Sequence, residues 1–193
     1  MEQKINPAPF YLLLLACFSQ VVAQAEGQPE TFAIGRAATA EEIAAWDIDI
    51  KPDGEGLPPG SGTVDGGEAL YVAQCAVCHG KGGVGGPYDR LVVHSPAEAF
   101  PDANNVDAWR HRTIGNYWPY ATTLFDYIRR SMPMSLPGSL NADEVYALTA
   151  YLLYLNHIVA ADTELDADSL ARVEMPARDR FVPDDRQNYR EVH

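Results

Sequence analysis

Cys75, Cys78 and His79 stand together in the string Cys75-Ala76-Val77-Cys78-His79, and the chemistry of the chain starts there. A C-x-x-C-H string reads as an attachment site for c-type haem. Two thiols at this spacing suit the two vinyl groups on one porphyrin edge, and the next residue offers an imidazole as proximal iron ligand. Two other chemistries use paired cysteines. A redox C-x-x-C calls for a βαβ setting, whereas the flanks here are helical or glycine-rich. A zinc site calls for further ligands at short spacing, and no second cysteine pair exists. The expectation is one covalently held haem c.

Several segments must position that motif. Residues 66–75 read as a short helix that delivers it. Residues 80–90 are rich in glycine but lack Gly-Lys-Ser/Thr and a preceding strand, so they are no phosphate loop. They are expected to let the backbone pass close to the cofactor. Residues 91–121 show weak periodicity and read as the irregular distal side of the pocket. Thr123-x-x-Asp126 is expected to open a short helix over residues 124–130, and the Pro/Gly-containing stretch 131–138 cannot continue it. Asn141-x-x-Glu144 caps the longest helix, which runs to about His157 with Val145, Leu148, Leu152 and Leu155 as its buried stripe.

Outside this region, Thr39-Ala40-Glu41-Glu42 is a capping-box pattern leading into a short helix. Residues 51–63 are Pro/Gly-rich and irregular. Residues 158–193 read as an acidic, then mixed-charge tail. No internal repeat is visible.

The start of the chain has a different character. Lys4 precedes the apolar run Phe10–Phe18 and Val21-Val22, which ends at Ala23-Gln24-Ala25, a small-x-small pattern. This predicts a secretory signal peptide over residues 1–25 and export to the periplasm. The run is short for a membrane span and Gln20 interrupts it, so no transmembrane segment is expected after cleavage. Leu14-Leu15-Ala16-Cys17 loosely resembles a lipobox, but the apolar stretch continues past Cys17. Cleavage removes Cys17, leaving Cys75 and Cys78 as the only cysteines. The expected organisation is a signal peptide (1–25), an N-terminal extension (26–63), a haem domain (64–157) and a C-terminal extension (158–193).

Of the 193 residues, 14 are Lys or Arg and 27 are Asp or Glu, a net charge of −13. Cleavage takes Glu2 and Lys4 together and leaves that charge unchanged. So acidic a surface disfavours nucleic acid and anionic membrane and favours a basic protein face, with salt-dependent docking.

This order of parts resembles the class I cytochrome c fold, an all-α architecture in which the first helix carries C-x-x-C-H and the last helix crosses it. The resemblance gives Gly67 and Tyr71 the crossing positions on the first helix and Leu148 and Tyr151 those on the last. It also implies a distal methionine in the loop between the last two helices. Met132 and Met134 both lie there, and Met132 fits the family pattern better as Met-Pro directly after a helix. His94 and His111 are further candidates, with His157 and His193 behind them. Pro87 resembles the family proline whose carbonyl accepts the Nδ1–H of the proximal histidine, which would orient His79. Arg112, Tyr117 and Trp118 suit the haem propionates, with ordinary core packing as the alternative for both aromatics.

Longer strings carry a closer resemblance. Residues 31–36, 46–54, 56–62, 113–130, 143–156 and 183–186 look like the cytochrome c subunits of bacterial Sox-type sulfane and sulfite dehydrogenases. The resemblance implies a partner subunit with a molybdenum cofactor, which oxidises sulfite or protein-bound sulfane. Two electrons then leave one at a time through the cytochrome to a downstream cytochrome or oxidase. On this reading the chain is an electron-transfer subunit and not an enzyme by itself, and its long arms wrap the haem domain or clasp the catalytic subunit. Two departures stand out. The chain has one haem motif where the Sox subunit often has a second domain, and Met134 occupies a position usually held by a large aromatic. The rival readings are a freely diffusing carrier and a haem peroxidase or ligand sensor.

Overall fold

In the computed structural model the described residues are 34–95, 100, 101, 107 and 111–182. The expected signal peptide lies outside them. The chain divides into two units, one ending at Trp46 and one starting at Asp47.

The described part of the first unit centres on helix α1, Ala40–Trp46. Its capping box forms as expected. The Thr39 amide donates to Glu42 Oε2 at 2.9 Å, and the Glu42 amide donates to Thr39 Oγ1 at 3.2 Å. No residue of α1 is buried.

The second unit is built on two crossing helices. Helix α2 runs Val64–Gln74, and its N-cap Thr63 accepts a hydrogen bond from the Gly66 amide. Gly66 and Gly67 are poor helix formers, yet the helix needs Gly67. A Cβ there would lie 2.0 Å from the Ala147 carbonyl oxygen and 2.7 Å from the Tyr151 Cβ. The crossing partner, α6, runs Ala142–Leu155 behind an Asn141/Glu144 capping box. Every residue from Val145 to Leu153 is buried, so the expected single stripe widens to the whole circumference. Other segments cover α6 on the sides away from α2, and Leu155 is only half-buried.

Between these helices lie α3 (Ala76–His79), a 3₁₀ turn at Lys81–Gly83, α4 (Ile114–Tyr117) and α5 (Ala121–Ser131). Two of them depart from expectation. Helix α4 forms inside the stretch expected to be irregular, because Thr113 and Asn116 cap it reciprocally. Helix α5 starts at Ala121, before the Thr123-x-x-Asp126 pattern, and its N-cap Tyr120 makes no side-chain cap. Thr122 and Asp126 are instead buried on its inner face. Thr122 Oγ1 donates to the Pro52 carbonyl at 3.3 Å, and Asp126 accepts from Arg130 Nε at 2.9 Å.

The flanking segments pack onto this frame. Strand β1 (Ser61–Thr63) pairs antiparallel with β2 (Glu164–Asp166), in the register Ser61↔Asp166 and Thr63↔Glu164. Helix α7 (Ala167–Ala171) follows with its own Asp166/Ser169 capping box, and a 3₁₀ turn spans Arg178–Arg180. Leu165, Leu170 and Met175 join Tyr71, Phe125, Tyr146, Leu148 and Leu153 in one core. Tyr146 donates its hydroxyl to the Pro58 carbonyl at 2.8 Å, and its ring lies 4.4 Å from that of Phe125. The stretch after residue 157 is therefore part of the packed unit as far as Met175 and Ala177, where the acidic composition had suggested a tail.

Candidate functional site

The C-x-x-C-H residues occupy one tight turn. Cys75 joins α2 to α3, its amide still bonded to the Tyr71 carbonyl at 2.9 Å. The amides of Cys78 and His79 both donate to the Cys75 carbonyl, at 3.1 and 3.0 Å. That turn holds two thiols and an imidazole on a single short segment. Both thiols are free and half-buried. Burial, with a smaller contribution from Cys78, pushes the Cys75 thiol up to about 11, so it is neutral at pH 7.

His79 Nδ1 lies 3.1 Å from the carbonyl oxygen of Asp89. A carbonyl only accepts, so Nδ1 carries a proton, and in the neutral ring Nε2 is the nitrogen with a lone pair to offer a metal. The expected acceptor was Pro87, and the structure replaces it with Asp89. The reason lies in the intervening turn. The Tyr88 amide donates to the Cys78 carbonyl at 3.2 Å and the Gly86 amide to the Tyr88 carbonyl at 3.2 Å. This docks residues 86–88 on Cys78, leaves Pro87 exposed, and brings the Asp89 carbonyl to the imidazole.

The glycines of this loop serve close approach of the backbone to itself. A Cβ on Gly80, whose φ is +78°, would meet the Gly85 carbonyl oxygen at 2.1 Å. One on Gly86 would meet the Cys78 carbonyl oxygen at 2.7 Å. Buried Tyr71 pins the same turn by donating its hydroxyl to the Gly80 carbonyl at 2.9 Å. Burial, followed by the charges of Cys75 and Tyr151, pushes that hydroxyl up to about 12.

The two methionines separate clearly. Met132 caps the C-terminus of α5, with its amide on the Ile128 carbonyl, and packs half-buried against the core. Met134 is 58% exposed. His94, His111 and His157 are exposed, and His193 lies outside the described residues.

The remaining expected residues sit in aromatic packing. The Arg112 guanidinium lies 5.0 Å from the centre of the Tyr117 ring. Tyr117 stacks on Phe100 at 5.5 Å and meets the edge of Phe181 at 5.5 Å. Trp118 packs against the core and meets Tyr127 edge-on at 5.7 Å. The structure thus brings Arg112 and Tyr117 together and gives Trp118 different neighbours.

Asn156, absent from the sequence expectations, ties these parts together. Its buried Oδ1 accepts from the amides of Val93 (3.1 Å) and Gly115 (3.0 Å), and its Nδ2 donates to the carbonyls of Leu91 (3.2 Å) and Leu152 (2.8 Å). One side chain thereby joins the 91–93 loop and α4 to the end of α6. An asparagine after a long helix signals no more than a cap.

Among the described residues, no cluster of three or more His, Cys, Asp and Glu side chains could hold a metal ion, and no helix is long and apolar enough to cross a membrane. The donor set of two free thiols, an imidazole held through Nδ1 and a half-buried thioether fits a c-type haem, which brings its own iron.

Comparisons with known proteins agree with this chemistry. A family model described as cytochrome c oxidase, cbb3-type, subunit III matches residues 62–152, from β1 to near the end of α6. A chain of the crystal structure of the sulfane dehydrogenase SoxCD from Paracoccus pantotrophus is 42% identical, with a TM-score of 0.64 over 82% of this chain and 75% of that one. The thiosulfate dehydrogenase of Psychrobacter arcticus is 28% identical over 121 residues, 61% of this chain and 35% of that protein. That of Stutzerimonas stutzeri is 32% identical over 95 residues, 49% of this chain and 28% of that protein. The chain spans about a third of the length of these curated relatives.

Proposed function

Since the chain belongs to the class I cytochrome c family, we propose that it is the electron-accepting subunit of a molybdenum-dependent sulfite or sulfane dehydrogenase in the periplasm. The observation that carries this reading is the 42% identity to a SoxCD chain across most of both chains. The names of the two curated relatives also point to oxidation of sulfur compounds.

The family implies haem c, which supplies reversible one-electron exchange between ferric and ferrous iron when bound. Cys75 and Cys78 would hold one such haem through thioether bonds, and His79 and Met132 would bind its iron. The Asp89 carbonyl fixes the His79 tautomer and ring orientation. The Tyr71 hydroxyl and the Gly80–Gly85 contact hold the turn on which that geometry depends. Met132, whose amide bonds the Ile128 carbonyl at the end of α5 and whose side chain packs half-buried against the core, would resist displacement by small ligands. We assign Arg112, Tyr117 and Trp118 to the propionates. None of these residues has to move or transfer a proton as an electron passes, which suits outer-sphere transfer. Electrons from the two-electron oxidation of sulfur would arrive one at a time and pass on to a downstream cytochrome or oxidase.

Metal analysis of the tagged protein isolated from the periplasm tests the assignment. Molybdenum in constant ratio to iron through successive columns is the expected result. Iron without molybdenum would point to a freely diffusing carrier.

A further inference from the structure

Arg129 lies on α5 in the turn just before Met132, half-buried. Its guanidinium reaches off the helix, and Nη1 donates to the Ile48 carbonyl at 3.3 Å. A second bond joins the same two segments nearer the start of α5, where Thr122 Oγ1 donates to the Pro52 carbonyl at 3.3 Å. The two bonds fix the path of the chain. Thr122 and Arg129 are about two turns apart, or about 10 Å along the helix. Ile48 to Pro52 can span up to about 13 Å when extended. Residues 48–52 therefore run along α5 in the opposite direction, as a strap.

The strap is itself anchored. Ile50 is buried in the core. Gly54 comes so close to α7 that a Cβ there would meet the Ala171 Cβ at 2.8 Å, and the Pro58 carbonyl holds the Tyr146 hydroxyl at 2.8 Å. The Ile48 carbonyl is thus a fixed point for whatever binds it.

Met132 stands at the place where the hold on the main chain changes. Its amide closes the last turn of α5 on the Ile128 carbonyl at 3.0 Å. Beyond it, residues 134–139 are exposed, and the Leu136 amide only turns back to the Pro133 carbonyl at 2.8 Å. A Cβ on Gly138 would meet nothing within 4 Å. The backbone of Met132 is therefore held from the α5 side, and the last turn of a helix frays unless tied down. Of the two arginines in that turn, Arg130 is bonded to Asp126 within the helix, and Arg129 is bonded to the strap.

We propose that Arg129 is a positioning residue for Met132: its bond to the Ile48 carbonyl ties the last turn of α5 to the strap and so sets how long the thioether stays on the haem iron. This inference rests on the assignment of Met132 made above. A thioether that stays bound keeps the reduction potential high and the iron closed to small ligands.

The test uses the haem-loaded protein isolated from the periplasm, with imidazole as the exchange probe for ferric iron. At saturating imidazole the exchange rate is the rate at which the thioether leaves. In R129A that rate should rise at least about fivefold, the loss expected for one hydrogen bond from a charged donor. The weak long-wavelength band should also fade at a lower temperature than in wild type. Covalent haem content, and the cold spectrum without imidazole, should match wild type. R129K keeps the charge and a donor for the Ile48 carbonyl, and it should stay within about threefold of wild type. An R129A protein that exchanges less than about twofold faster than wild type overturns the inference. So does an R129K protein as fast as R129A, because the effect would then come from lost packing of the side chain. If wild type itself lacks the long-wavelength band, or binds imidazole as fast as M132A, the ligand assignment fails and this inference with it.

Discussion

Gly67 on α2 faces the backbone of Ala147 on α6 so closely that a Cβ would stand 2.0 Å from the Ala147 carbonyl oxygen. The motif hangs from the end of α2, and Tyr71, one turn beyond Gly67, packs its ring 5.5 Å from that of Tyr151. The crossing therefore decides where the Cys75–His79 turn lies relative to the core. Gly67→Val should push the helices apart and cost about 3 kcal/mol or more. Denaturant titration of the haem-loaded protein would measure it, and a cost under about 1 kcal/mol would mean the helices can part freely.

Cys75 and Cys78 are expected to share the attachment of haem. The double variant C75A/C78A should lose all haem that survives denaturing electrophoresis, and each single variant should retain one thioether. Intact-protein mass spectrometry distinguishes the three. Covalent haem persisting in C75A/C78A would contradict the assignment.

Met132→Ala should abolish the weak long-wavelength band of thioether-ligated ferric haem, lower the reduction potential and open the ferrous iron to carbon monoxide. Met134→Ala should change none of these, since Met134 points outward. The reverse result would exchange the two residues.

The motif and the Asn141/Glu144 cap were legible because each is local, a fixed spacing with one physical meaning, whereas the close approach at Gly67 to Ala147 and Tyr151 was expected only through the family resemblance. The partner of His79 was not legible. It depends on residues 86–88 docking on the Cys78 carbonyl, which moves the available acceptor from Pro87 to Asp89. Composition also misled after residue 157. Glu164, Asp166 and Asp168 make the stretch look solvated, but they alternate with Leu165 and precede Leu170, both buried. Thr123-x-x-Asp126 matched a cap pattern, yet Asp126 is buried beside Arg130, so tertiary packing overrode the local signal. Asn156 was invisible because its four partners come from three separate segments.

Asn156→Ala should cost about 3 kcal/mol, because the buried amides of Val93 and Gly115 would lose their acceptor. Thermal melts against wild type check this. A loss below about 1 kcal/mol would mean that water replaces the side chain.

Burial, followed by the charge of Asp166, pushes the Tyr146 hydroxyl up to about 12 from its ordinary 10.0. A raised value means that the folded state favours the protonated form. The stability it contributes is whole below pH 10.0 and is lost as pH rises towards 12. Tyr146→Phe has no such proton to lose. The stability advantage of wild type over Y146F should therefore shrink between pH 10.0 and 12, as measured by denaturant titration at each pH. A constant difference would show that Tyr146 titrates alike in the folded and unfolded states.

The most direct test of the account is the spectrum of the haem in the complex isolated from the periplasm, recorded without oxygen before and after sulfite is added. The account predicts that the ferrous bands appear, at two haems reduced per sulfite consumed. Haem that stays ferric with sulfite, thiosulfate and sulfane donors alike, while ascorbate still reduces it, would contradict the claim that this chain takes electrons from sulfur oxidation.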